Sequence, residues 1–261
     1  MHKDIFSLNN LTVLVTGATG YLGREMCIGL GEAGAHVLVN SRSDERALAL
    51  VQELIALGFR SEKAVFDVAS KTDIERYFDG FDGNLNVIVN NAYFGTGGTI
   101  ESAKGEAYID AYQVVVGAAH HIINKALPKL RASVSQIGYA SVINIASMYG
   151  VVGPDLRVYP TAEVSNPPFY GAAKAALIQW TKYAACEFGG EGIRFNSISP
   201  GPFPNPGPNS EQFMNILAQK VPLGRVGQSA EIKGPVVFLA SSASSFINGT
   251  NLSVDGGWTA W

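Results

Sequence analysis

Cysteine is nearly absent: the 261 residues hold only Cys27 and Cys186. Two isolated thiols cannot make a disulfide framework or a four-ligand zinc site, so both are expected as small buried apolar side chains. His120 and His121 have no metal-like companions, and no metal is expected. Charge is scarce as well. Only 16% of residues are charged, the formal net charge is −3, and no run of Lys or Arg occurs. Nucleic acid and anionic membrane surfaces are therefore excluded as partners. No apolar run approaches the roughly 18 residues that span a bilayer. The opening MHKDIFSLNN also lacks the apolar stretch of a secretory signal. Together these absences predict a soluble, cytoplasmic protein acting on a small molecule.

Apolar residues, by contrast, are plentiful at 47%, enough to fill the core of one domain spanning residues 1–261. Short apolar runs at 11–16, 36–40, 63–66, 86–90, 139–146, 193–199 and 251–254 read as strands. Amphipathic stretches at 21–33, 44–57, 70–79, 105–131, 168–189, 209–220 and 229–241 read as helices. Strands that are apolar throughout and alternate with helices predict a doubly wound α/β fold. The expected architecture is one Rossmann domain with a seven-stranded, mostly parallel sheet and helices on both faces. Two proline-bearing loops, 150–168 and 200–208, are long enough to be binding loops.

The first strand runs directly into TGATGYLG at 16–23 and then into a helix. Glycines there permit a tight turn and let backbone N–H groups approach a pyrophosphate, with the helix N-terminus favouring its charge. Gly17, Thr19, Gly20, Tyr21, Leu22 and Gly23 are thus candidate cofactor contacts. Where a dinucleotide with a free ribose is met by Asp or Glu, the second strand here ends in Ser41 and Arg42. Arg accommodates a 2′-phosphate, so NADP(H) is favoured, with NAD(H) as the second option.

Further along, NPPFYGAAKAAL at 166–177 places Lys174 four residues after Tyr170, on one helix face. That spacing alone is a weak signal. In context it gains force, because TGATGYLG, Asp67-Val68, NNAY at 90–93, INIAS ending at Ser147, YGAAK, NSISPG at 196–201 and VDGG at 254–257 occur in one order. In that order the chain resembles the short-chain dehydrogenases/reductases over nearly its whole length. The resemblance implies hydride transfer between a nicotinamide dinucleotide and a carbonyl or alcohol carbon. It implies catalytic roles for Ser147, Tyr170 and Lys174. It adds Asp67, Val68, Asn91, Ala92, Pro200, Gly201 and Phe203 to the cofactor contacts, with Tyr170 and Lys174 themselves, and a substrate lid at 200–220. A homodimer or homotetramer is also implied, with Trp258 and Trp261 near subunit contacts.

Physical chemistry accounts for these roles. An alkoxide forming on hydride delivery needs a positioned acid. A free tyrosine has a pKa of about 10, and a cation one helical turn away, Lys174, is expected to lower it. Ser147, at a strand end, can steady the substrate oxygen.

Three positions depart from the family pattern: Tyr21 fills a glycine position, Tyr93 replaces the glycine of NNAG, and Val115 stands where an asparagine usually completes a proton relay. Tyr93 can wall the substrate pocket or simply pack. The glycine spacing keeps open a sugar-nucleotide epimerase or dehydratase with retained cofactor, and Val115 keeps open a non-catalytic dinucleotide sensor. The 150–168 stretch, an active-site loop insert, offers Tyr149, Arg157 and Tyr159, with Asp155 and Asn166. Such a lining suits a small hydroxylated substrate, sugar-like and neutral or anionic. The alternative for Arg157 and Asp155 is a surface ion pair.

Overall fold

The computed structural model describes residues 4–95, 97–205 and 210–261. Part of the second proline-bearing loop, residues 206–208, and the expected helix start at 209 lie outside the described residues. The strands are β1 (Thr12–Val15), β2 (His36–Ser41), β3 (Arg60–Val65), β4 (Val87–Asn90), β5 (Ala140–Ile145), β6 (Ile193–Pro200) and β7 (Asn251–Val254). They form one sheet in the order β3-β2-β1-β4-β5-β6-β7, and every pairing is parallel. The helices are α1 (Tyr21–Glu32), α2 (Asp44–Ala56), α3 (Lys71–Gly80), α4 (Gly105–Tyr112), α5 (Ala118–Ile137), α6 (Pro168–Phe188), α7 (Glu211–Lys220) and α8 (Lys233–Ala240).

Alternation along each strand divides the core between the two faces. Val13 and Val15 pack with Met26, Leu54 and Val236 of α1, α2 and α8. Leu14, between them, points the other way, to Ile74, Ile122 and Ala184 of α3, α5 and α6. Both faces are covered, which explains the unbroken apolar runs. The chain reverses its winding between β1 and β4. Ligands of open α/β sheets bind beyond the carboxyl ends of the strands at such a reversal.

Several expected boundaries move. The third strand begins at Arg60, not 63, because it is an edge strand whose register with β2 runs from His36↔Arg60, and its mostly exposed side chains need not be apolar. The helix expected at 105–131 is α4, a π-turn over Gln113–Gly117, and α5. It continues through Pro128 to Ile137 and stops at Gly138, whose φ of 88° ends the helix in the left-handed region. Cys27 is buried as expected, but Cys186 is exposed, on the outer face of α6.

Candidate active site

The sheet's reversal opens a cleft of about 570 Å³, and every residue assigned above to the cofactor lines it. The glycine turn is held open by its neighbours. Gly17 sits at φ +59°, and a Cβ there would lie 2.8 Å from Cα of Ala92; a Cβ on Gly23 would come within 2.3 Å of the Gly17 carbonyl. Only glycine fits either place. The turn is fastened to the end of β4 by Thr16, whose Oγ1 accepts from the backbone N–H of Asn91 at 2.9 Å and Ala92 at 3.1 Å. Asn91 returns two bonds, donating through Nδ2 to the carbonyls of Thr16 and Gly17. Motifs distant in sequence are thus one structural unit.

Three observations fit this cleft to a phosphorylated dinucleotide. The N-cap of α1 is Gly20, which has no side chain to cap it, so its first N–H groups, beside the cleft, are unclaimed by a side-chain cap, where an anion is favoured. Arg42 lines the cleft, its guanidinium 5.6 Å from the Phe94 ring centroid. Arg46, whose Nη2 donates to the Thr19 carbonyl at 3.3 Å, is a second cation beside it. Sequence reasoning missed Arg46, Asn40 and Phe94. For Arg46 the signal was present, an arginine four residues after Arg42 in the first turn of the following helix. For Asn40 it was not: its buried amide accepts from Gly17 N–H and donates to the carbonyls of Ala64 and Phe66, a role visible only once three strands are adjacent. Tyr21 also gains a role, donating its hydroxyl across the cleft to the Pro204 carbonyl at 3.3 Å.

Ser147, Tyr170 and Lys174 meet at the inner end of the cleft. Ser147 follows β5, its Oγ accepts from Tyr149 N–H at 3.1 Å, and it is near enough to the Tyr170 phenol to oppose the upward pull of burial on it. Pro167 and Pro168 start α6, where a missing N–H costs nothing, and the helix carries Tyr170 and Lys174 on one side. Lys174 is buried, its Nζ donates to the Ile145 carbonyl at 2.6 Å, and it lies 5.7 Å from the Tyr170 ring centroid. Here the structure corrects an expectation. The phenol of Tyr170 is shifted up, not down: burial outweighs the lowering contribution of Ser147, and Lys174 is not among its causes. Burial also pulls Lys174 down to about 7, so it is only a partial cation near neutrality.

Val115 lies in the π-turn and packs against Phe169, Ala173 and Leu177. Between it, Asn90 and Lys174 is a void of about 10 Å³, roughly the space one water requires. Asn90 Oδ1, buried there, has no protein partner.

A second cavity, about 700 Å³, adjoins the cleft and shares Tyr93 and Tyr170 with it. The two rings meet edge to face with centroids 4.7 Å apart. Tyr159, from the insert, lines this cavity. Tyr149 does not: its hydroxyl bonds that of Tyr159 at 3.0 Å, making it a support behind the wall, and burial raises its phenol pKa. Arg157 is not brought to the site at all. Its side chain is 84% exposed and paired with Asp155, whose second oxygen takes the ammonium of Lys220 at 2.5 Å. The bidentate geometry two residues away in sequence wins over a longer reach inward. Trp258, expected at a subunit contact, is instead buried with Met148, Val158, Leu217 and Val221, beneath the insert and α7; Trp261 is exposed. Among the described residues no cluster could hold a metal ion, and no helix is long and apolar enough to cross a membrane.

The sheet order, the glycine turn and the cleft beside it define a Rossmann-fold protein built for a nicotinamide dinucleotide. The family model described as Enoyl-(Acyl carrier protein) reductase matches residues 17–259. A tropinone reductase homolog of Arabidopsis thaliana is 33% identical over 264 residues, covering 98% of this chain and 92% of its own. Gluconate 5-dehydrogenase of Gluconobacter oxydans is 31% identical over 278 residues, covering 99% and 98%. A solved gluconate 5-dehydrogenase from Burkholderia cenocepacia, in complex with NADP and tartrate, aligns with a TM-score of 0.88 at 29% identity over 99% and 98% of the two chains. The chain belongs to the short-chain dehydrogenase/reductase family, and it is an NAD(P)-dependent oxidoreductase acting on CH–OH groups.

Proposed function

We propose that the protein is an NADP(H)-preferring reductase that converts a small polar or sugar-like carbonyl compound to its secondary alcohol, with Tyr170 as the acid. The observation that carries this reading is that Tyr170 lines both the dinucleotide cleft and the second cavity. A proton on its hydroxyl is therefore available to a carbonyl held in one and reduced from the other. NADPH, when bound, supplies the hydride. Ser147 bonds the carbonyl oxygen and the phenol together, and Tyr170 gives up its proton as negative charge develops on that oxygen. A phenol shifted upward stays protonated through neutral pH, the form a reduction requires. Lys174, beneath Tyr170, holds the ribose hydroxyls. Arg42, Arg46 and Ser41 take the 2′-phosphate, two guanidiniums matching its charge and geometry. The NADP bound by the Burkholderia cenocepacia relative supports that preference.

Titration with NADPH and NADH, followed by oxidation assays over a panel of ketones, tests this. NADPH is expected to bind tighter, Arg42→Asp to reverse the preference, and Tyr170→Phe to bind cofactor while losing turnover by roughly 10²-fold or more. Equal binding of both dinucleotides, or an active Tyr170→Phe, would remove the assignment.

A further inference from the structure

We propose that the second cavity selects an uncharged ketone or alcohol and rejects one bearing a carboxylate; this rests on the reductase reading above. The cavity begins at Tyr93 and Tyr170 and is walled by Tyr159 and Phe213, whose rings lie 5.9 Å apart. Its polar side chains include Asn166 and Ser210, and the Ser210 hydroxyl already accepts from Phe213 N–H. No carboxylate, ammonium, guanidinium or imidazole lines it among the described residues. The undescribed residues near it in sequence, Thr96 and the Pro-Gly-Pro-Asn of 206–209, carry no ionisable side chain either.

Cations do stand nearby, each with a partner of its own, but none lines the cavity. Arg157 and Lys220 both pair with Asp155. Lys174 donates to the Ile145 carbonyl beneath Tyr170. Glu163, adjoining the lining residue Val164, is acidic and exposed. A bound carboxylate would exchange water for aromatic and aliphatic side chains, with no cation in the lining to compensate. A neutral molecule meets no such cost: its apolar face lies on the rings and its hydroxyls reach Asn166.

The test is an isosteric pair, 4-(hydroxymethyl)cyclohexanone and 4-oxocyclohexane-1-carboxylate. Wild type is assayed for turnover with NADPH, and Tyr170→Phe with NADPH bound is titrated with each ketone by calorimetry. The neutral ketone is expected to bind at least about tenfold tighter and to show at least about tenfold higher kcat/KM. Asn166→Arg is expected to narrow both gaps. The proposal is overturned if the oxo acid binds as well or better, or if neither ketone binds the variant. Binding of the neutral ketone without reduction by wild type would uphold the cavity's charge preference and sink the reductase reading instead.

Discussion

At the scale of single residues, Lys174 sets the conflict at the centre of the site. Its ammonium is buried, and burial alone pulls its pKa from 10.5 to about 7. Between those values the unfolded chain carries the proton and the folded chain does not. Folding stability contributed by this group therefore rises as pH rises through that window, and below about 7 the folded state carries the full cost of a buried charge. Lys174→Met removes the titration. The difference in unfolding free energy, wild type minus variant, should rise by as much as a few kcal/mol between pH 6 and pH 10 in urea melts. Parallel pH curves would show that the ammonium is solvated or paired in the folded chain. The spacing of Tyr170 and Lys174 was readable from the sequence. The direction of their shifts was not, because it depends on burial that the rest of the fold imposes.

At the scale of elements, the 150–168 insert and α7 behave as one layer over the site. Val158 from one and Leu217 from the other pack with Trp258, and Asp155 ties the insert to Lys220 at the end of α7. That ion pair is partly exposed, with side chains 21% and 35% accessible, so it contributes below about 1 kcal/mol. Lys220→Met should accordingly leave the melting temperature nearly unchanged, raise KM for the ketone by no more than about fivefold, and leave NADPH affinity alone. A weakened NADPH affinity would contradict the separation of the two layers. Length and proline content marked the insert as a binding loop. Which of its side chains face inward was only partly readable: the Asp155–Arg157 pair was one of the two readings the sequence offered, whereas the Tyr149–Tyr159 bond is settled by loop geometry. The π-turn was equally hidden: Gln113–Gly117 reads as ordinary helix, and the extra residue per turn has no residue-type signature.

At the scale of the whole molecule, the order of strands and helices was readable because each strand is buried on both faces and each glycine turn has a fixed neighbour. Edge positions were less so. The start of β3 and the inward turn of Trp258 both depend on what lies alongside, not on local pattern. The same holds for the bond from Tyr21 to the Pro204 carbonyl. It links the first turn of the fold to the loop after β6, beside the cleft that Tyr21 lines. Its consequence is temporal. A contact of this kind adds about 0.5–1.5 kcal/mol to the barrier for a cofactor leaving, and where product release is the slow step it sets the ceiling on turnover. Tyr21→Phe should quicken NADP⁺ release by roughly two- to tenfold in stopped-flow chase experiments. If it does so while raising kcat, the tyrosine standing in a glycine's place has set the pace of the enzyme, exchanging speed for a longer hold on its cofactor.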